Sequence, residues 1–321
     1  MSNLDLRPAA AECAAAPSGP VRELQRGREV PLGESTVVRR LLPTLGRRMV
    51  GAWCFVDHYG PDDIADEPGM QVPPHPHIGL QTVSWLHEGE VLHRDSLGSL
   101  RTIRPRQLGL MTSGRAISHS EESPRPHAHA PLLHGAQLWV ALPDEQRHTA
   151  PSFEFHAELP GIAGGGGLRA TVILGSLDGA TSPGTVYTPL MGADIAVVEG
   201  TDARLPVEEE FEYAALAMDG EAEVDGVPLP RGSLLYLGTG RRELPVRATA
   251  DASFMLLGGV PFDERLVMWW NFIGRTHDEI AAAREDWASG TRFGTVTGYD
   301  GTPLAAPPLP ATTLKARGRV R

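Results

Sequence analysis

Short apolar runs cut off by glycine or proline recur along this chain, and no other feature limits its fold as strongly. Between Val30 and Val140 they are Ser35–Arg39, Met49–Val56, Leu80–Leu86, Leu108–Thr112 and Gln137–Ala141. Runs of this length and punctuation belong to the strands of a sandwich or barrel. Along Leu80–Leu86, Gln81, Val83 and Trp85 point one way, while Thr82, Ser84 and Leu86 point the other.

A second β-rich stretch covers Arg169 to about Phe262. Its clearest part is Tyr213–Met218, Asp219-Gly220, Glu221–Val224 and Asp225-Gly226, where each Asp-Gly pair between apolar residues reads as a hairpin turn. The strand Ser253–Gly259 runs into Val260-Pro261, much as Gln137–Leu142 runs into Pro143. The two halves therefore read as weakly related modules of ~100 residues each, the size of a small barrel. One helix is expected, from about Thr276 to Trp287. Thr276 caps it, Asp278 and Glu279 suit its first turn, and Ala281–Ala283 has high helix propensity.

The expected organisation is a flexible leader over residues 1–28, a first β domain over 29–157, a linker over 158–168, a second β domain over 169–265, and a C-terminal segment over 266–321. Gly164–Gly167 lacks the Lys-Ser/Thr that would follow in a phosphate cradle, so it reads as flexible linker. Lys315, Arg317, Arg319 and Arg321 read as a frayed, solvated tail.

A formal net charge of -11 argues against direct nucleic-acid binding, which needs a clustered positive field. With only Cys13 and Cys54, a disulfide framework and a Cys-rich zinc module are both ruled out. The N-terminus does not read as a signal peptide, and no window approaches the ~20 apolar residues of a membrane span. A monomer in the cytoplasm, with no membrane association, is the expectation.

Histidine placement carries the chemistry. Eleven of twelve histidines lie between His58 and His156, and none occurs from Glu158 to Thr276. A transition metal, if held, belongs to the first half. There, His75-Pro76-His77 leads into the Leu80–Leu86 strand, and His119-Ser120-Glu121 follows Gly114. Residues i and i+2 of a strand share a face, so each pair can aim both side chains at one point, which a helix would not allow. Three imidazoles and a carboxylate suit iron, and also zinc, nickel, copper or manganese. A four-ligand set on a six-coordinate ion leaves two positions for water, dioxygen or a substrate oxygen.

The stretch from His75, HPHIGLQTVSWLHEGEVLHRDSLGSL followed by IRPRQLGLMTSGRAISHSEE, closely resembles the pirin family, a branch of the cupin superfamily. GAWCFVDHYGP at Gly51–Pro61, LHGAQLWVALP at Leu133–Pro143 and VMWWNFIGRTHDEIAAAREDW at Val267–Trp287 agree with it, so the resemblance covers roughly residues 30 to 290. It implies an all-β bicupin, two stacked jelly-roll barrels with a C-terminal helix and metal in the first barrel only. Matched motif to motif, the family's ligands fall on His75, His77, His119 and Glu121, and iron is the usual metal. The common cupin carboxylate position is Gln81 here, which leaves Glu121 as the carboxylate.

The resemblance implies either of two activities. One is an iron-dependent dioxygenase, similar to quercetin 2,3-dioxygenases, that cleaves a flavonol or another enol-bearing aromatic with dioxygen, Glu121 serving as catalytic base. The other is a non-enzymatic, metal-dependent regulator that binds a protein partner. Among the remaining residues, His58 reads as a hydrogen-bonded structural histidine. His87 and His93 read as surface or supporting positions, and His127 and His129 as part of a solvated loop among prolines. Ser118 and Ser120 lack an acidic orienter for nucleophilic chemistry. Trp269 and Trp270 read as anchors of the C-terminal segment, and Glu208–Glu210 as a solvated charge run.

Overall fold

A computed structural model describes residues 20–32, 36–125 and 132–319; His127 and His129 lie outside them. The strands expected from the punctuated runs form, several of them longer than their apolar stretches. In the first half, a seven-stranded sheet runs Ser152–His156, Leu108–Thr112, Leu80–Glu88, Leu132–Ala141, Trp53–Asp63, Thr36–Leu42 and Arg28–Leu32. It faces a four-stranded sheet ordered Gln71–His77, Ile117–Glu122, Val91–Asp95 and Leu100–Ile103. Val38, Tyr59, Leu86 and Leu133 from the large sheet meet Val72, Val91 and Ile103 from the small one, filling the interior of the first barrel.

The second half repeats the plan. An eight-stranded sheet containing Leu168–Leu177, Leu190–Val197, Glu212–Asp219, Ser233–Gly238 and Ala252–Gly259 faces a four-stranded one. Ala222–Val224 and Val227–Leu229 pair across Asp225-Gly226, whose φ values of 51° and 76° are those of a primed hairpin turn.

The two large sheets pack back to back. Trp53, Val83, Trp85 and Leu138 of the first share one apolar core with Ile173, Leu216, Met255 and Leu257 of the second. The alternation read in Leu80–Leu86 explains this. Val83 and Trp85 enter the shared core, whereas Leu86 fills the first barrel and Ser84 reaches Glu121 inside it. Trp53 pins the junction: fully buried, its indole N–H faces the carbonyls of Met191 at 3.1 Å and Gly258 at 3.2 Å. Gly192 leaves the ring its space, since a Cβ there would lie 2.9 Å from Trp53 Cζ2.

Asp219-Gly220 closes no hairpin, because Glu212–Asp219 and Ala222–Val224 lie in different sheets. Three further expectations need correction. The leader does not extend to residue 28, because Glu23–Arg26 is an edge strand of the second barrel, paired with Ser233–Gly238. ELQR shows no apolar alternation; backbone bonds to an open sheet edge fix it, with Arg47 over the Tyr236 ring and paired with Glu23 alongside. The segment read as a linker holds the strand Gly161–Ala163, which pairs with Leu168–Leu177, and Gly164–Gly167 is the turn between them. Lastly, the basic tail is fastened rather than frayed. Leu266 and Arg317 exchange backbone hydrogen bonds of 2.9 and 2.8 Å, and the Arg48 N–H donates to the Arg319 carbonyl at 2.7 Å.

The helix forms at His277–Ser289 with Thr276 as N-cap and Glu279 completing a capping box. With Val267, Phe272 and Phe293 it packs over Ile78 and Ala116, and Trp269 and Trp270 sit at the edge of that cluster as anchors. Glu208, Glu209 and Glu210 are exposed. Among the described residues no helix is long and apolar enough to cross a membrane.

Candidate metal centre

His75 and His77 end the strand Gln71–His77, which pairs antiparallel with Ile117–Glu122. His119 lies directly opposite His75 in that register, so the two motifs meet although 42 positions separate His77 from His119. The ring nitrogens of His75, His77 and His119 gather within 4.8 Å of one another, and all three residues are buried. His77 Nε2 and His119 Nε2 are 3.1 Å apart.

Backbone acceptors set the tautomers of two of these rings. His75 Nδ1 donates to the Pro73 carbonyl at 2.8 Å, and His77 Nδ1 donates to the Asn271 carbonyl at 3.0 Å. Each ring then carries its lone pair on Nε2. Burial also disfavours the charged forms. It lowers the His75 pKa to about 4 and places His77 and His119 well below the ordinary histidine range.

Glu121 is placed differently from its partners. Between His119 and Glu121 the register against Gln71–His77 shifts, so Glu121 comes opposite Val72. Its carboxylate gathers with His93 and His119, not in the three-imidazole group. Ser84 Oγ lies 2.9 Å from Oε1, and Gln137 Nε2 donates to Oε2 at 3.3 Å. Burial raises the Glu121 pKa, favouring the protonated form more than in an exposed carboxylate. Two overlapping triads thus share His119.

His93 is the residue that sequence reasoning undervalued. It is 2% exposed, stacks on Phe153 with centroids 4.1 Å apart, and brings Nδ1 to 3.4 Å from His119 Nδ1. Its Nε2 meets Asp95 Oδ2 at 3.1 Å. Burial alone would raise the Asp95 pKa, but hydrogen bonds from His93 and Ser99 outweigh it and hold the group below the usual carboxylate range. The available clue was the i+2 pairing of His93 with Asp95 on one strand face, as in His75 and His77.

Other sequence candidates stand apart. Gln81 faces the second barrel, its amide donating to Thr112 Oγ1 and to the Thr185 carbonyl at 3.0 Å each. Ser118 donates to the Phe293 carbonyl at 3.2 Å, and Ser120 Oγ is buried with no partner among the described residues. His58 pairs with His134 Nε2 to Nε2 at 3.1 Å, as a structural histidine, and His87 meets Asp194 at 3.2 Å. Cys54 is buried, which pushes its thiol pKa upward.

The Pirin family profile matches residues 35–140, and that of the pirin C-terminal cupin domain matches residues 192–294. A Pseudomonas aeruginosa protein named "Putative quercetin 2,3-dioxygenase" is 45% identical over 89% of this chain and 91% of its own length. A pirin-like protein of Caulobacter vibrioides is 41% identical over 79% of this chain and 88% of its own. The crystal structure of quercetin 2,3-dioxygenase from Acinetobacter baumannii superposes with a TM-score of 0.87 at 42% identity, covering 92% of this chain and 97% of that one. Sequence, barrel pair and histidine cluster agree: this chain belongs to the pirin family and has its bicupin fold.

Proposed function

We propose that the chain is a metal-dependent dioxygenase whose Fe(II) ion is held by His75, His77 and His119, with Glu121, from the adjoining triad that shares His119, as the fourth ligand. The observation that carries this reading is the buried group of three neutral imidazoles. Metal ligation requires unprotonated nitrogen, and burial together with the Pro73 and Asn271 carbonyls provides it on His75 and His77. Two nitrogens each about 2.1 Å from one ion, at near right angles, lie about 3 Å apart, and the His77–His119 separation of 3.1 Å fits. Nitrogen donors with one carboxylate nearby also suit nickel, copper, manganese or zinc.

When bound, iron supplies Lewis acidity toward a substrate hydroxyl and a route for electrons to dioxygen. The protein's own contribution is positional. Glu121 takes the proton of an enol-bearing aromatic such as a flavonol. Ser84 and Gln137 hold that carboxylate in place before and after transfer. His93 fixes the far side of His119, and its own orientation comes from Asp95 and Phe153. The Acinetobacter and Pseudomonas relatives support a flavonol as the first substrate class to test.

The test is anaerobic reconstitution with Fe(II), followed by oxygen uptake and loss of visible absorbance with quercetin. Wild-type protein should turn over, and His119→Ala and Glu121→Ala should not. Metal-loaded protein that leaves a panel of flavonols untouched would overturn the substrate assignment. Less than about 0.1 equivalent of bound metal after reconstitution would overturn the metal centre itself.

A further inference from the structure

On the flank of the first barrel, both ends of the described chain line a cavity of about 1100 Å³. One wall comes from the junction of the strands Glu23–Arg26 and Arg28–Leu32 and from the loop that follows Leu42. The other is Leu266–Met268 with residues 312–318. Among the described residues six cations line it, Arg26, Arg28, Arg40, Arg48, Lys315 and Arg317, and no carboxylate does. In a chain with a formal net charge of -11, that is a local reversal of sign.

Asp57 offsets part of this charge. Arg40 is paired with Asp57 at 2.7 Å, and Arg28 also acts on Asp57 at longer range. No ion pair engages Arg26, Lys315 or Arg317 among the described residues. Arg319 pairs with Glu212 at 3.5 Å, whereas the charges of Lys315 and Arg317 do not hold the tail in place. Around those two residues the tail is held by backbone bonds between Leu266 and Arg317 and from Arg48 to Arg319, by Leu314 N donating to His277 Nδ1, and by Arg48 and Arg265 donating to the Gly318 and Ala316 carbonyls. Basic side chains brought together in this way repel one another, and the low-dielectric walls of a concavity focus their field.

We propose that this cavity binds a small organic polyanion, one with two or more phosphate, sulfate or carboxylate groups. Arginine forks suit such groups bidentately. The hydroxyls of Thr312 and Thr313 add polar contacts at the rim, and Met49, Leu266 and Met268 offer an apolar wall for the rest of the molecule. The volume suits a nucleotide-sized ligand. A nucleic-acid strand is disfavoured, because the cations converge on one cavity within an acidic protein instead of forming a stripe across its surface. The proposal does not rest on the metal centre or on flavonol turnover.

Isothermal titration of the full chain, in a buffer free of phosphate, tests it with pyrophosphate, ATP, citrate, adenosine and a single-stranded 20-mer oligonucleotide. Pyrophosphate, ATP or citrate should bind, at least 10-fold more tightly than neutral adenosine, with affinity falling as NaCl rises; the ranking of the three separates phosphate from carboxylate recognition. Arg28→Gln with Lys315→Gln, and separately Arg26→Gln with Arg317→Gln, should each weaken binding at least 10-fold. All four residues are exposed, so thermal melting should confirm folding in both pairs. No heat from any of the three polyanions at millimolar concentration, equal affinity for adenosine and ATP, or affinities unchanged in both pairs would overturn it. So would oligonucleotide binding more than 10-fold tighter than that of every small polyanion. Metal-free and metal-loaded protein should give the same result, so failure of the dioxygenase reading leaves this test intact.

Discussion

His77 Nδ1 lies 3.0 Å from the carbonyl oxygen of Asn271, 194 positions later in the chain. That single bond ties a proposed metal ligand of the first barrel to the C-terminal hairpin Val267–Gly274, and it selects the His77 tautomer. The hairpin turns at Trp270, whose φ of 52° is unusual for so bulky a residue.

Trp270→Val puts a β-branched residue at that left-handed position and should shift the turn carrying Asn271. Loss of an outer partner of a metal-bound histidine typically costs about 10–100-fold in metal affinity. Competition against a chelator should show a fall of that order, with Trp270→Gly less affected. Equal affinity in all three proteins would mean that the Asn271 carbonyl does not orient His77.

Gly79 sits where the hairpin crosses the end of the His75–His77 motif. It has a φ of 71°, and a Cβ there would lie 2.2 Å from the Ile273 carbonyl oxygen. Gly79→Ala therefore meets both a strained backbone and a backbone clash, and should cost about 2 kcal/mol or more. Chemical denaturation would measure it.

Ser84→Ala removes one of the two hydrogen bonds holding the Glu121 carboxylate. A buried acceptor left short of a partner costs about 1–3 kcal/mol, so the midpoint of unfolding should fall accordingly. In the proposed reaction kcat should drop more than KM rises, because Glu121 loses its position while the substrate pocket stays. A pure KM effect would contradict the assignment of Glu121 as base.

How much of this was legible beforehand depends on where each signal resides. Period-two alternation is local, so Val83 and Trp85 against Ser84 and Leu86 could be read from seven residues. The pairing of His75 with His119 followed from two motifs on strands, but the register shift that turns Glu121 toward His93 arises between strands and leaves no mark in His119-Ser120-Glu121. Glu23–Arg26 and the tail around Arg317 are held by backbone bonds to distant edges, which any side chain permits. Composition there describes solvent exposure correctly and says nothing about order.

Stability should depend on pH through the buried pair His58 and His134. Burial is the leading cause that lowers their pKa values, to about 3 and about 4, helped at His58 by His134 and at both by His87. Arg39 and Arg231 face the pair with positive charge, while Asp194 and Asp219 partly offset it. Folded pKa values below the unfolded value of about 6.5 mean that the unfolded chain binds more protons in between. The contribution is complete above about pH 6.5 and is lost as pH falls from there toward 4. Each proton taken up on unfolding contributes a slope of at most about 1.4 kcal/mol per pH unit. Denaturation at pH 7, 6 and 5 should show the decline, and His58→Gln with His134→Gln should flatten it. An equally steep decline in that double variant would place the titration elsewhere.

The hairpin that reaches back to His77 also sets the order in which the protein can mature. Synthesis runs from the N-terminus, and His75, His77, His119 and Glu121 have all been made long before Asn271. A chain still on the ribosome has its full proposed ligand set but lacks the carbonyl that orients His77, the helix His277–Ser289, and the Phe293 carbonyl that receives Ser118. The residues from Asn271 onward thus complete the surroundings of the proposed ligands only once the chain has left the ribosome.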